Sequence, residues 1–148
     1  MAASSKSGAR ARARARRLIL QGLYQWQLSG ALPADIIAQL YASQNTKDAD
    51  TDYFEELLRG TIASSDKLAA VFSPYLDRPP TQLDPIERAI LLLSTYELSV
   101  RPDVPYRVVL NEAVELARKF GAEDSHKYIN AVLDRTAAEV RRSGRTAG

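Results

Sequence analysis

The chain has 148 residues, 45% of them hydrophobic and 26% charged, with a formal net charge of +2, which is the composition of an ordinary globular domain. It contains no cysteine, so disulfides and thiolate metal sites are excluded, and a reducing, cytoplasmic environment is expected. No apolar stretch approaches the roughly 18 residues that span a bilayer, and glutamines interrupt the segment after the arginine run, which argues against a signal peptide.

The positive charge is concentrated in the N-terminal region. Residues 1–34 hold six basic residues and no acid, whereas residues 35–148 hold 14 basic and 18 acidic residues, a net charge of −4. A fixed cationic end attracts a polyanion by releasing its counterions, and nucleic acid is the usual polyanion. The alternative is a solvated tail that contributes only solubility.

The N-terminal region is predicted to be a disordered basic arm at residues 1–9, followed by a first helix over residues 10–28 that ends at Gly30 and Pro33. Apolar residues of this helix recur at the helical period and define its inner side. Five residues line up on the opposite side: Arg10, Arg14, Arg17, Gln21 and Tyr24.

Two shorter helices are predicted next. They lie around residues 36–41 and 53–62, with a polar loop at residues 43–51 between them. The polar residues 64–66 either kink the second of these helices or restart it.

A capping box predicts where the central helix begins. Asp84 and Glu87 have the spacing of that motif, and Pro85 occupies the first helical position. The following residues 90–93 are apolar without a polar break, so this helix is predicted to be the buried centre of the molecule.

Two helices complete the chain. The first is predicted to begin at Pro105 and to end at Gly121 in the left-handed conformation that favours glycine. Asp124 or Ser125 opens the last helix, and residues 141–148 are predicted to form a frayed polar tail.

No strand pattern and no repeat of fixed period interrupts these helices. The sequence therefore predicts an all-α fold, a compact bundle of six to seven helices. A single domain at residues 10–140 is expected between the arm at 1–9 and the tail at 141–148.

The arginine-rich helix is the first candidate binding surface. Alternating alanine and arginine at residues 9–17 favour a helix, and the planar guanidinium group matches phosphate oxygens and stacks on bases. Tyr24 continues the outer stripe, and single-stranded nucleic acid stacks its bases on such rings. The alternative for Tyr24 is a place in the core.

Residues 123–128 are the second candidate. They combine a helix N-terminus, whose free N–H groups favour an anion, with Lys127 and Tyr128. The alternative is simple capping by Asp124 or Ser125, with Tyr128 at the edge of the core.

Catalysis has no positive signal in this sequence. His126 is the only histidine, and it has neither a placed partner for catalysis nor the companions that a zinc or iron site needs. There is no glycine-rich phosphate loop and no paired-carboxylate pattern. The sequence predicts a protein that is not an enzyme and that holds no metal or other cofactor.

Four segments, in order and with compatible gaps, closely resemble the NusB family of bacterial transcription antitermination factors. They are RRLILQGLYQWQLS (16–29), DYFEELLRG (52–60), DPIERAILLLSTYEL (84–98) and DVPYRVVLNEAVELARKFGAEDSHKYINAVLDR (103–135). The resemblance covers roughly residues 10–140.

The resemblance implies an all-helical fold of two packed helical subdomains and an adaptor role. It implies binding of the single-stranded boxA element of ribosomal RNA leaders together with the ribosomal protein NusE, and indirect contact with RNA polymerase and other Nus factors. Glu87 falls on the helix that carries the family's NusE surface. The residues that match the family's RNA surface are Arg10, Arg12, Arg14, Arg16, Arg17, Gln21, Tyr24, Asp124, Lys127 and Tyr128.

Three alternatives stay open at this point. The first is a protein–protein scaffold with a solubilising tail, the second is a DNA-binding helical regulator, and the third is the helical domain of an RNA-modifying methyltransferase system. The third is disfavoured because the sequence up to Gly148 has no strand followed by a glycine-rich loop that could hold a methyl donor.

Overall fold

The computed structural model describes residues 5–147, and it describes side chains for residues 8–142. In this part of the chain there are seven α-helices, two short 3-10 helices and no strand. The α-helices are α1 (Ser5–Ser29), α2 (Pro33–Ser43), α3 (Thr51–Ala63), α4 (Ser65–Phe72), α5 (Pro85–Val100), α6 (Tyr106–Phe120) and α7 (Ser125–Ala147). The 3-10 helices span Ser73–Tyr75 and Pro80–Gln82. The predicted all-α class is confirmed, and the helices divide into two compact units, α1–α3 and α4–α7.

The first unit packs the inner side of α1 against α2 and α3. Gly22 permits a close approach of these helices, because a Cβ at this position would lie 2.9 Å from Leu58 Cδ1 and 3.4 Å from Ile36 Cγ2. Helix α1 ends as predicted at Gly30, which adopts a φ of +68° and donates its N–H to the Trp26 carbonyl at 2.8 Å.

The second unit is built around α5. Every residue from Ala89 to Leu98 is buried, so the predicted central position of this helix is confirmed within its unit. Asp84 is the N-cap, and its Oδ1 accepts the Glu87 N–H at 2.8 Å. Helices α4, α6 and α7 pack against α5.

Both ends of the described chain are more helical than predicted. Helix α1 begins at Ser5, so residues 5–9 of the predicted arm are helical, as the high propensity of alanine and arginine favours; residues 1–4 lie outside the described residues. Helix α7 continues to Ala147 through most of the predicted tail. The Arg141 guanidinium holds this end, because it donates to the carbonyls of Leu98 at 3.0 Å and Val104 at 2.9 Å.

The turn between α6 and α7 differs from the prediction. Gly121 is not left-handed, since its φ is −89° and its ψ is 174°. Glycine is favoured there by crowding, because a Cβ would lie 2.8 Å from the Ala117 carbonyl oxygen and 3.1 Å from Ser125 Oγ. The left-handed residue is Asp124, with a φ of +68°, a conformation that a short polar side chain tolerates.

The segment at residues 64–66 restarts a helix. Helix α3 ends at Ala63 and α4 begins at Ser65, which was one of the two predicted outcomes.

Candidate nucleic-acid interface

The outer stripe of α1 lies on the surface of the first unit, as predicted. Arg10, Arg14 and Tyr24 are exposed, the last with 39% of its surface accessible, while Arg17 and Gln21 are half-buried. Tyr24 is therefore not a core residue. Three cationic groups and one ring follow each other along about four turns of helix, a spacing that suits an extended polyanion.

Two of the predicted RNA-contact arginines face elsewhere. The Arg12 guanidinium lies 4.4 Å above the ring of Tyr53, and its Nε is 3.9 Å from Asp50 Oδ2. Arg16 is only 3% exposed and lies 5.6 Å from the centre of the same ring. The structure gives no support to the predicted contact of Arg16 with RNA, because a buried guanidinium does not face a phosphate in solution; the contact stays a prediction.

The helical period explains this division. Residues two apart on a helix are rotated by about 200°, so alternate arginines of the run point in opposite directions. Arg10 and Arg14 share the outer side, whereas Arg12 and Arg16 share the side toward α3.

The contacts of Asp50 were not foreseen from the sequence. The Asp50 N–H donates to the Ala11 carbonyl at 3.0 Å, and its Oδ1 accepts the Tyr53 N–H at 3.1 Å. Asp50 thus joins the start of α3 to the arginine-rich part of α1. Its position in a polar loop was the only local signal, and that signal does not indicate a contact about forty residues away.

The second candidate set lies in the second unit, in the turn before α7 and in the first turn of that helix. Asp124 and Lys127 are exposed, and the Lys127 Nζ lies 3.4 Å from Asp124 Oδ1. Ser125 is buried instead and faces the interior. The exposed pair leaves a cation and a carboxylate at the surface, where solvent weakens their attraction and a ligand competes easily.

Tyr128 is half-buried and held by two neighbouring loop residues. Its phenol oxygen accepts the Asp77 N–H at 3.3 Å, and the Arg78 guanidinium lies 4.6 Å above its ring. Arg78 also makes a bidentate ion pair with Asp77, with Nε–Oδ1 at 2.6 Å and Nη2–Oδ2 at 3.1 Å. Sequence reasoning missed both loop residues because nothing local links them to a tyrosine fifty positions later.

These contacts shift two pKa values. Burial raises the pKa of Tyr128; the hydrogen bond from the Asp77 backbone N–H opposes this rise, whereas the hydrogen bond and charge of the Asp77 carboxylate add to it. The hydrogen bond from Arg78 holds the pKa of Asp77 below its usual value, and the Tyr128 hydroxyl lowers it further. The cluster therefore keeps a neutral phenol beside an ion pair at neutral pH.

Glu87 is not at the surface where the resemblance suggests a protein partner. It is 8% exposed, and its Oε2 accepts the Ser125 hydroxyl at 2.8 Å. The structure gives no support to Glu87 as a contact for a protein partner, which stays a prediction, because its carboxylate is used inside the second unit to hold the start of α7.

Two broader features of the described chain bear on function. No three or more histidine, aspartate or glutamate side chains come together there as a possible metal site. No helix in the same part of the chain has the length and apolar character required to cross a membrane.

Comparison with known proteins identifies the family. The model of the NusB family matches residues 13–138. A transcription antitermination protein NusB from Baumannia cicadellinicola is 53% identical over 131 residues, which are 88% of this chain and 94% of that protein. Its counterpart from Alcanivorax borkumensis is 52% identical and is covered over 87% of its length.

Two solved structures share the fold. T. maritima NusB has a TM-score of 0.74 and 30% identity, covering 86% of this chain and 91% of that one. A NusB chain solved with NusE and double-stranded RNA has a TM-score of 0.78 and 24% identity, covering 88% and 98%. With a family model that spans most of its length and relatives that share half of its residues, the chain belongs to the NusB family.

Proposed function

We propose that this chain is a transcription antitermination factor that binds single-stranded boxA RNA of ribosomal RNA leaders together with the ribosomal protein NusE. Membership of the NusB family over residues 13–138 carries the proposal, and the exposed cationic stripe of α1 supports it. The role is that of an adaptor to RNA polymerase in the cytoplasm, and it involves binding without catalysis.

The stripe of α1 supplies the sequence-independent part of the affinity. Arg10, Arg14 and Arg17 neutralise phosphates and release counterions, and the guanidinium plane matches the phosphate oxygens. Tyr24 offers its ring to an unpaired base, which contributes about 1–3 kcal/mol per base. Phosphate contacts position the strand, and base contacts determine which strand is preferred.

The turn before α7 and the first turn of that helix supply polar groups that discriminate between bases. Asp124 accepts and Lys127 donates hydrogen bonds, and both lie at the surface. Base edges in single strands are free for such contacts, which is how most sequence-specific RNA recognition operates.

The salt dependence of RNA binding tests the role of the stripe. The double variant Arg10→Ala/Arg14→Ala is expected to weaken binding of all single-stranded RNAs alike and to reduce the slope of log K against log salt by about 1.4, since each phosphate contact on a single strand contributes about 0.7. Fluorescence anisotropy titrations at several salt concentrations measure both. Arg59→Ala is the control, because Arg59 is exposed on α3 of the same unit and lies outside the stripe. A double variant that keeps the wild-type affinity and slope would refute the stripe's role.

Competition between strand forms tests the RNA class. The same boxA sequence is offered as a single strand and as a duplex of equal length, because the structural neighbour named above was solved with double-stranded RNA. We expect the single strand to compete better, since only unpaired bases stack on Tyr24. Preference for the duplex, or for DNA of either form, would contradict the proposal.

Tyr24→Asp tests the ring on the folded protein. The substitution places a negative charge at an exposed position and is expected to lower RNA affinity while the helical circular dichroism signal stays unchanged. Retained affinity in the folded variant would remove Tyr24 from the binding surface.

A further inference from the structure

We propose that Arg78 and Tyr128 form one stacking platform for a single unpaired nucleobase, with Asp77 as the residue that positions the guanidinium group. This inference deepens the proposed function and rests on it. It adds two loop residues, Asp77 and Arg78, that lie outside the resemblance to the RNA surface of the family.

The geometry of the three side chains carries the inference. The Arg78 guanidinium lies 4.6 Å above the centre of the Tyr128 ring, within the range of a cation–π contact. The ring is fixed at its far end, because the phenol oxygen accepts the Asp77 N–H at 3.3 Å. The guanidinium is fixed by the bidentate ion pair with Asp77. Each layer of the stack is therefore held in position before a ligand arrives.

Exposure decides which layer meets the RNA. The Arg78 side chain is 38% exposed, whereas Tyr128 is half-buried. The guanidinium is thus the outer layer, and Tyr128 is the support beneath it. Bases in single-stranded RNA stack on arginine planes as well as on aromatic rings, so a base placed on Arg78 continues the stack.

The hydrogen-bonding capacity of Arg78 is not exhausted by its ion pair. A guanidinium group carries five N–H donors, and the contacts with Asp77 use one donor on Nε and one on Nη2. The remaining donors are available to a phosphate or a base edge. Lys127 lies on the turn of α7 that also carries Tyr128, and it is 73% exposed, so a second cation accompanies the platform.

The test compares Arg78→Ala, Arg78→Lys and Arg107→Ala in the full chain. Arg107 is the matched control, because it is also an exposed arginine above a tyrosine ring, 5.9 Å from that of Tyr106. It lies at the first turn of α6, roughly 20 Å along that helix from the turn before α7. Removing either arginine changes the net charge equally.

The probe is a short fluorescently labelled single-stranded boxA RNA. We expect Arg78→Ala to weaken its binding roughly tenfold, which is the usual contribution of one stacked base, and Arg107→Ala to change it less than about twofold. Arg78→Lys is expected to weaken binding nearly as much as Arg78→Ala, since lysine keeps the charge and loses the plane. Equal affinities of Arg78→Ala and Arg107→Ala would overturn the platform, and wild-type affinity in Arg78→Lys would show that a point charge suffices.

A set of strands, each with one abasic ribose at a different position, separates stacking from phosphate contact. For one of these strands, the wild type should bind more weakly than it binds the intact strand, by about the factor that Arg78→Ala loses on the intact strand. The Arg78→Ala variant should bind that abasic strand no more weakly than the wild type does. If Arg78→Ala weakens every abasic strand to the same extent, Arg78 contacts phosphate and the stacking proposal is overturned. Absence of any RNA binding by the wild type overturns the proposed function, and the platform with it.

Asp77→Ala tests the positioning role. Removing a negative charge from an RNA-binding surface favours the RNA by simple electrostatics, so tighter binding is the outcome that would overturn this role. We expect weaker binding, by roughly twofold to fivefold, because the guanidinium loses the bidentate contact that orients it. Melting followed by circular dichroism confirms that each variant is folded.

Discussion

Arginine has two distinct uses within the first helix. Arg10 and Arg14 point to solvent, where their charges are available to an anion, whereas Arg12 and Arg16 pack against the ring of Tyr53. A buried charge is costly unless neighbouring groups compensate it, and the face of an aromatic ring is one such compensation. The inner pair therefore serves to hold the helix, and the outer pair is exposed as a consequence.

The buried hydrogen bond between Ser125 and Glu87 is expected to stabilise the second unit. Ser125→Ala should lower the free energy of unfolding by about 1–3 kcal/mol, because the Glu87 carboxylate then loses its donor in a buried site. Urea unfolding measures the effect, and Ser99→Ala, at an exposed position of α5, is the control. If both variants unfold at the same urea concentration, the hydrogen bond contributes nothing to stability.

Tyr41 supplies a prediction on pH. Burial, together with the hydrogen bond to Glu55 and the charge of that carboxylate, raises the pKa of Tyr41 from 10.0 to about 12. Since the folded protein binds this proton more tightly than the unfolded chain, the contribution of Tyr41 to stability is complete below about pH 10 and is lost between about pH 10 and 12.

Tyr41→Phe removes this titration. The unfolding free energy of the wild type should therefore fall more steeply than that of Tyr41→Phe across the same pH window, as measured by urea unfolding. Parallel pH profiles of the two proteins would contradict the assignment. Glu55→Gln is expected to bring the titration of Tyr41 closer to its ordinary pKa.

At the scale of single elements, the packing of α1 depends on the absence of a side chain at Gly22. Leu58 and Ile36 occupy the space where a Cβ would stand. This close approach brings the helix backbones together and buries the neighbouring apolar residues Ile19 and Leu23. Burial of each of these side chains contributes about 1.5–3 kcal/mol to the stability of the folded state.

Gly22→Val should therefore lower the free energy of unfolding by about 1–3 kcal/mol, because the added methyl groups overpack the contact with Leu58. Gly8→Val is the matched control on the same helix, since a Cβ at that position would meet nothing within 4 Å. There valine should be neutral or slightly stabilising, because glycine is the poorer helix former. A Gly22→Val variant as stable as the control would show that α1 has room to shift.

The start of α5, the central helix of the second unit, also determines where α7 begins. Asp84 caps α5, and Glu87 in its first turn reaches across to Ser125 instead of returning to the cap. One capping motif thus begins α5 and also fixes the start of α7, which places Tyr128 one turn further along. The candidate surface at that turn depends on this arrangement.

At the scale of the whole molecule, the chain carries its positive charge on a helix whose inner side is part of a folded unit. The arginine-rich part of α1 is not an appendage that can be removed without consequence, because Ala15 and Arg16 are buried. Substitution of the outer arginines is therefore the cleaner way to separate RNA binding from folding.

If the protein is an adaptor, a variant with a damaged RNA surface should lose affinity for RNA and still bind NusE. We expect Arg10→Ala/Arg14→Ala to bind purified NusE within about twofold of the wild-type affinity, because exposed substitutions away from a contact change binding and stability little. The same variant should bind boxA RNA more weakly. Isothermal titration calorimetry measures the first and anisotropy the second. Parallel loss of both partners would indicate that the arginines support the fold and not the RNA contact.

The sequence by itself determined the helical class, the buried centre of the second unit and the outer stripe of α1. Each depends on neighbours within one or two turns: the apolar run of α5, the cap at Asp84, and the spacing of Arg10, Arg14 and Tyr24. Local periodicity contains this information because side chains three and four residues apart share a face.

Only the tertiary structure decided which polar groups are available. Arg16 is buried against Tyr53, Glu87 is used by a serine 38 residues away, and Arg78 lies on a ring fifty positions further along the chain. Periodicity predicts the face of a helix on which a residue lies, but not which distant residue comes to cover it. Those pairings arise when the helices pack, and they determine which charges and rings remain for a partner.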